Sequence, residues 1–292
     1  MRRIIAFWSP LFTAHMDAWG LTLIIAVVCT LLHDAASADR SGLLLTLTVT
    51  CWLAFAVNDY FDAPYDALDD AKRQRNFFAT RHLSQPLLVV LLGIIVFMLT
   101  ISYASYGWRG LLVYAILLIA TWAYSTPPLR LKSRPGVDLV IHGVFVQTAP
   151  YFVCLFLLGS AWIELDYLLL IGFFLSSLAA QLEQQTRDYE VDSLTEGNST
   201  TLLGRRTAVL LMRGASAGVL ILLLVAIIGR LVPLFIVPFV LICLPVILHR
   251  FLRRADEPRS QRLIVVLLIV ALLYTGGIWS AAVIQNSDLF VR

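Results

Sequence analysis

The sequence predicts an all-α integral membrane protein. One domain over residues 1–292 is read as nine transmembrane helices bundled around a central chamber that opens near the cytoplasmic side. Three observations carry this. Of the 292 residues, 59% are hydrophobic and only 14% charged, too little charge to cover a soluble domain of this size. The apolar residues fall into runs of roughly 20, the length that crosses a bilayer as a helix. The basic residues gather on one predicted side.

Backbone groups inside lipid must bond within their own segment, so each apolar run reads as a helix. In order, the spans are Thr13–Leu32, Leu43–Tyr60, Gln85–Tyr106, Gly110–Tyr124, Leu139–Leu158, Tyr167–Asp188, Thr207–Gly229, Val232–Phe251 and Leu263–Ile284. The fourth is short, and the connection before it, Ser105–Arg109, is tight. The start, MRRIIAFWSP, lacks a small-residue cleavage site and is read as part of the mature chain.

The net charge of +3 says little, but its distribution orients the bundle. On one side fall Arg2 and Arg3; Lys72, Arg73, Arg75 and Arg81; Arg130, Lys132 and Arg134; Arg187, Arg205, Arg206 and Arg213; and Arg250, Arg253, Arg254, Arg259 and Arg262. The other side holds Arg40, Arg109, Arg230 and Arg292. The positive-inside rule then puts the N-terminus and the loops after spans two, four, six and eight in the cytoplasm. The expected location is a cytoplasmic membrane. Cys29, Cys51, Cys154 and Cys243 are scattered through apolar runs without metal or redox spacing and read as small buried side chains.

Acid collects where the second span should stop, in AVNDYFDAPYD. If the helix continues past the membrane, Asp59, Asp62 and Asp66 lie close to one face, and Asn58 and Asp62 are one turn apart. Clustered carboxylates repel and need a counter-charge. A second cluster, QLEQQTRDYEVD, ends the sixth span on the same predicted side, with Asp188 and Asp192 one turn apart and Glu190 between them. A lone acidic helix end is usually a solvated boundary, and Asp69 and Asp70 are read that way. Two dense clusters on one side are a different matter.

Oxygen-rich clusters suit Mg²⁺, which keeps several waters and takes carboxylates together with phosphate oxygens. Metals held by two such clusters would bridge a diphosphate, and Lys72, Arg73, Arg75, Arg130, Lys132 and Arg134 would neutralise its remaining charge. The ligand has an anionic head at the interface and a hydrophobic body in the bundle. An isoprenyl diphosphate fits that description.

On these residues the chain resembles the UbiA-type membrane prenyltransferases. NDYFDAPYD matches their NDxxDxxxD motif in full, DYEVD matches the second DxxxD motif, and YSTPPLRLK, Tyr124 to Lys132, is similar to the segment between helices four and five. The resemblance implies that Asn58, Asp62, Asp66, Asp188 and Asp192 hold Mg²⁺ and diphosphate, with Asp59 a further ligand or orienter. It also implies that Tyr124, Arg130 and Lys132 lie near the diphosphate or the leaving bond, and that the loops after spans two and six cap the site. The chain departs from the family pattern after the first motif, where RNFFATRHLS has Asn76-Phe77 and Thr80-Arg81 in place of Arg-Pro and Ser-Gly. Gly197 after the second motif comes one position late, and SPLFTAHMDAWG stands where members often carry Arg-Pro followed by tryptophan. These departures leave the acceptor open; the Tyr124–Gly136 segment leans toward large lipids such as carotenoids or chlorin pigments.

The expected chemistry is ionisation. Metal and basic side chains stabilise the departing diphosphate, and the allylic cation survives in an apolar chamber. Trp52, Phe55, Trp122 and Tyr124 are candidates for cation–π contact. Gln181, Gln184 and Asp188 share a face of the sixth span, flanked by Glu183 and Gln185, and the glutamines are read with His15 and Asp17 as acceptor contacts. The expected partners are an isoprenyl diphosphate, a lipophilic acceptor and membrane lipid, with no nucleic acid. Two readings compete: a membrane terpene cyclase with the same ionisation, and a cation or lipid transporter. A transporter would place its charged residues near mid-bilayer, whereas here they collect at cytoplasmic ends.

Overall fold

A computed structural model describes residues 2–68, 70–81, 83–195, 197–254 and 261–285. Among them the secondary structure is helical throughout: α1 (Arg2–Thr13), α2 (Met16–Leu32), α3 (Ser41–Asp66), α4 (Asp70–Arg75), α5 (Phe77–Thr80), α6 (Gln85–Ala104), α7 (Gly107–Ser125), α8 (Val137–Gly143), α9 (Ala149–Leu158), α10 (Glu164–Arg187), α11 (Tyr189–Thr195), α12 (Ser199–Leu203), α13 (Arg205–Ile228), α14 (Val237–Leu252) and α15 (Gln261–Gln285). Eight helical segments are long and apolar enough to cross a membrane, and the bent pair Phe7–Thr13 and Met16–Leu32 would make a ninth. The protein is therefore a multi-pass membrane protein. Asp69, Arg259 and Arg292 lie outside the described residues, as do the side chains of Arg2 and Arg3.

The chain falls into two compact units. The first comprises the described residues within Met1–Leu23 and Ser41–Arg130, the second those within Ile24–Arg40 and Leu131–Arg292.

In the first unit the expected span Thr13–Leu32 starts inside a break. The segment before it is a separate helix, bent 53° from α2. The last carbonyls of a helix have no partner within it. Here two indoles serve: Trp52 Nε1 donates to the carbonyl of Leu11 at 3.0 Å and Trp19 Nε1 to that of Phe12 at 2.9 Å. The second span is six residues longer than Leu43–Tyr60 at its far end. α3 has 26 residues, about 39 Å of helix. That exceeds the roughly 30 Å hydrocarbon core, so an end of α3 reaches past it. α6 is apolar all round, and Val89, Phe97, Met98 and Ile101 are exposed, as expected of side chains that meet lipid tails.

In the second unit α10 packs along α13 through small residues. Ala179, Ala208 and Ala215 are buried with Leu182 and Met212, and Gly218 lies under Leu175. Membrane helices gain little from hydrophobicity against each other, so close backbone approach through small side chains carries the packing. Gly143 sits against Phe174, where a Cβ would come within 2.7 Å of the ring. The span from α8 to α9 is widened between them by a π segment, Val144–Thr148. In the first turn of α10, buried Asp166 accepts from Tyr151 Oη at 2.5 Å and from the amide of Ile163 at 2.8 Å, and pairs with His33 at 3.0 Å. The four cysteines are unpaired.

Candidate active site

The first unit carries the NDxxDxxxD residues on the last three turns of α3. Asn58, Asp62 and Asp66 follow one another at one-turn spacing, as the sequence predicts. Asn58 Nδ2 donates to Asp62 Oδ2 at 2.9 Å, while its Oδ1 accepts from Ser125 Oγ at 3.0 Å. Arg130 Nη2 approaches Asp62 Oδ1 at 3.3 Å, and its guanidinium lies 4.2 Å from the centre of the Tyr65 ring. The Arg130 backbone has φ +36°, a left-handed value that L residues adopt at a cost. Its amide is held by the carbonyl of Thr126 at 2.9 Å.

Asp59 turns away from this face. It is 6% exposed and its Oδ1 is 2.8 Å from His15 Nε2, whose ring stacks on Phe55. His15, expected at the acceptor, thus meets the acidic motif itself, while Asp17 is exposed on the first turn of α2. Asp66 Oδ2 accepts from Asn76 Nδ2 at 2.8 Å. Of the expected diphosphate cations in this unit, Arg130 reaches the motif. Arg73 is spent on Asp70 at 2.7 Å, three residues back on α4; Arg75 is exposed and Lys72 half-buried. Tyr124 is half-buried on α7, next to Ser125, whereas Trp122 is exposed.

In the second unit α10 stops at Arg187, and Asp188 is its C-cap. The break does not disturb the motif's spacing, because the Asp192 amide still donates to the Asp188 carbonyl at 2.9 Å. Arg187 Nε lies 3.3 Å from Asp188 Oδ1, and Asn198 Nδ2 donates to Asp192 Oδ2 at 2.7 Å. Glu190 is exposed, 3.7 Å from Arg205. Lys132 is half-buried in the turn Leu131–Ser133, and Arg134 is exposed. Gln181 is buried but Gln184 is exposed, so the shared helical face does not share an environment.

The glutamine that the sequence reading treated as a flanking residue does more. Gln185 Nε2 donates to Asp138 Oδ2 at 2.7 Å, and its Oε1 accepts from Thr200 Oγ1 at 2.9 Å. Asp138, fully buried, also accepts from the amide of Ser199 at 2.9 Å and from its hydroxyl. This network ties α8, α10 and α12 together directly behind the second motif. Asn76, which the sequence marks only as a departure from the family pattern, and Asn198 are the N-caps of α5 and α12, and an asparagine before a short helical run is a recognisable N-cap signal.

Among the described residues no three histidine, cysteine or acidic side chains converge on one point. The donors present still fit Mg²⁺. The α3 face offers Asn58, Asp62 and Asp66 oxygens in sequence, and Mg²⁺ is held by one or two carboxylates, with waters and phosphate oxygens completing its shell.

Comparison with known proteins bears on the family and the fold. The profile of the UbiA prenyltransferase family matches residues 21–272. A search of curated proteins gives no significant match. The fold is similar to that of a UbiA homologue from Archaeoglobus fulgidus bound to DMAPP and Mg²⁺, with TM-score 0.71 and 17% identity over 93% of this chain and 99% of that one. The GPP- and Mg²⁺-bound form of a UbiA homologue from the same organism gives TM-score 0.69 and 18% identity, again over 93% and 99%. An apo UbiA homologue from Aeropyrum pernix K1 gives TM-score 0.69 and 17% identity over 92% and 97%. With the family profile covering most of the chain and both acidic motifs in place, this chain belongs to the UbiA prenyltransferase family.

Proposed function

We propose that the chain is an Mg²⁺-dependent intramembrane prenyltransferase that moves an isoprenyl group from its diphosphate to a lipophilic acceptor. The observation that carries this is the α3 face, on which Asn58, Asp62 and Asp66 stand one turn apart with Arg130 held against Asp62. DMAPP and GPP in the two Archaeoglobus fulgidus structures support the donor class and the metal.

When bound, Mg²⁺ offsets the charge that grows on the diphosphate as the C1–O bond breaks. In this reading Asn58, Asp62, Asp66, Asp188 and Asp192 supply the oxygen ligands, and Asp59 orients the first motif through His15. Arg130, Lys132, Lys72, Arg75, Arg73 and Arg134 bind diphosphate oxygens, and Tyr124 lies near C1. Arg130 is the best prepared of these: its guanidinium is fixed before the ligand arrives, so little reorganisation is needed as charge develops. Gln181 and Gln184, with Asp17, orient the acceptor. The N-terminus and the acidic helix ends face the cytoplasm, which labelling of cysteines introduced near Arg73 and Arg253 would check.

The test is incubation of membranes containing the chain with labelled isoprenyl diphosphates, with and without Mg²⁺, against a panel of acceptors, followed by mass spectrometry of extracted lipids. Prenylated acceptor that requires Mg²⁺ supports the reading. A cyclised hydrocarbon formed without acceptor would replace transfer with cyclisation, and no diphosphate release under any condition would sink both.

A further inference from the structure

Each acidic motif is followed by the same small device. In the first unit Asn76 is the N-cap of α5, its Oδ1 accepting from the amides of Phe78 at 2.9 Å and Ala79 at 3.2 Å. Its Nδ2 donates to Asp66 Oδ2 and to the carbonyl of Asp59, both at 2.8 Å. In the second unit Asn198 is the N-cap of α12, its Oδ1 accepting from the amide of Thr201 at 2.9 Å. Its Nδ2 donates to Asp192 Oδ2 at 2.7 Å. Asn76 is 3% exposed and Asn198 6%. In both cases the carboxylate served is the last aspartate of its motif.

Capping alone does not account for the choice of residue. Serine and aspartate cap a helix about as well as asparagine. Asparagine adds an NH₂ group with two protons at the opposite end of the same planar amide. One side chain thereby fixes a helix start with its oxygen and a carboxylate with its nitrogen. Because Nδ2 occupies Oδ2, the carboxylate plane is set, and with it the direction in which Oδ1 presents its lone pairs. In the first unit the second amide proton goes to the backbone of the motif itself, so Asn76 fastens the segment after α3 to two points on α3.

We propose that Asn76 and Asn198 are positioning residues for metal and diphosphate binding, each clamping the distal aspartate of its motif in the orientation that receives the ligand. The proposal rests on the functional reading above. Neither asparagine is a metal ligand in it; both act through the aspartate they hold.

The experiment uses the full chain in nanodiscs. Binding of radiolabelled GPP is measured across an Mg²⁺ titration, with thermal stability followed in parallel. Asn76→Ser and Asn198→Ser keep a capping oxygen and remove the amide donor; the alanine variants remove both. Loss of a hydrogen bond to a charged group should raise the Mg²⁺ midpoint about tenfold in each serine variant, with melting close to that of the unaltered chain. Serine variants with an unchanged midpoint, beside alanine variants that melt early, would show that the asparagines are caps only and overturn the clamp. Threonine variants, also cap-competent, stand in for a serine variant that does not fold. Failure of both cap-retaining variants to fold overturns the clamp too, since the donor would then be holding the fold. Absence of Mg²⁺-dependent GPP binding in the unaltered chain overturns the functional reading and the clamp with it, an outcome distinct from the others.

Discussion

Arg130 is held 3.3 Å from the carboxylate of Asp62 and 4.2 Å from the centre of the Tyr65 ring, with its own backbone in a left-handed conformation. One cation thus connects the segment after α7 to the middle of the first acidic motif. A lysine could supply the charge but not the planar stack on Tyr65 or a forked donor set. Arg130→Lys should therefore lower the rate of diphosphate release by roughly 10- to 100-fold. Unchanged turnover in Arg130→Lys would remove the residue from the diphosphate site. The measurement is initial rate at saturating Mg²⁺.

The two motifs are expected to be separately indispensable. Asp62→Ala and Asp188→Ala should each nearly abolish Mg²⁺-dependent diphosphate release. Both proteins should still insert, because each change replaces one acidic side chain at a helix end and leaves the apolar spans intact. Normal turnover of either at limiting Mg²⁺ would show that its motif takes no part.

Gln181 and Gln184 test the acceptor side. Leucine at either position keeps approximate size and helix propensity but removes the amide. A raised acceptor KM, about fivefold for one lost hydrogen bond of about 1 kcal/mol, is expected with donor affinity unchanged. Because Gln181 is buried and Gln184 exposed, the larger effect should come from Gln181→Leu. Weakened donor binding with unaltered acceptor kinetics would argue against the assignment.

Asp138 makes a prediction about stability alone. Asp138→Ala would strand the Gln185 amide and both donors of Ser199, all at buried positions. Stranded buried donors cost roughly 1–3 kcal/mol each, so a loss of about 3 kcal/mol or more is expected. Thermal denaturation in detergent should show a clear drop in Tm. A melt within a degree or two of the unaltered chain would mean that these groups find other partners.

Much of the fold is legible in the chain because lipid leaves few options. A run of about 20 apolar residues without internal charge has to be a helix there, and the spans beginning at Gln85 and near Leu263 are found within two residues. The expected first span, Thr13–Leu32, ends with α2 but begins three residues before it, because Thr13–Met16 contains no proline or glycine to signal the 53° bend; the indoles that hold the bend come from Trp19 and Trp52, the latter on another helix. The π segment at Val144–Thr148 is equally silent in the sequence, which carries no local signal for it.

By itself the sequence determined the class of the protein and the spacing of its acidic motif along α3, because hydropathy and one-turn carboxylate spacing are local properties of a helix. It could place Asn58, Asp62 and Asp66 on one face without knowing any other part of the chain. Only the tertiary structure decided what each carboxylate touches. That Asp59 turns to His15, Asp62 to Arg130, Asp66 to Asn76, and Asp192 to Asn198 depends on helices and loops up to 68 residues apart in sequence. The physical reason is that a buried or half-buried charge takes its partner from whatever packing brings within about 3 Å, and packing is a property of the whole fold.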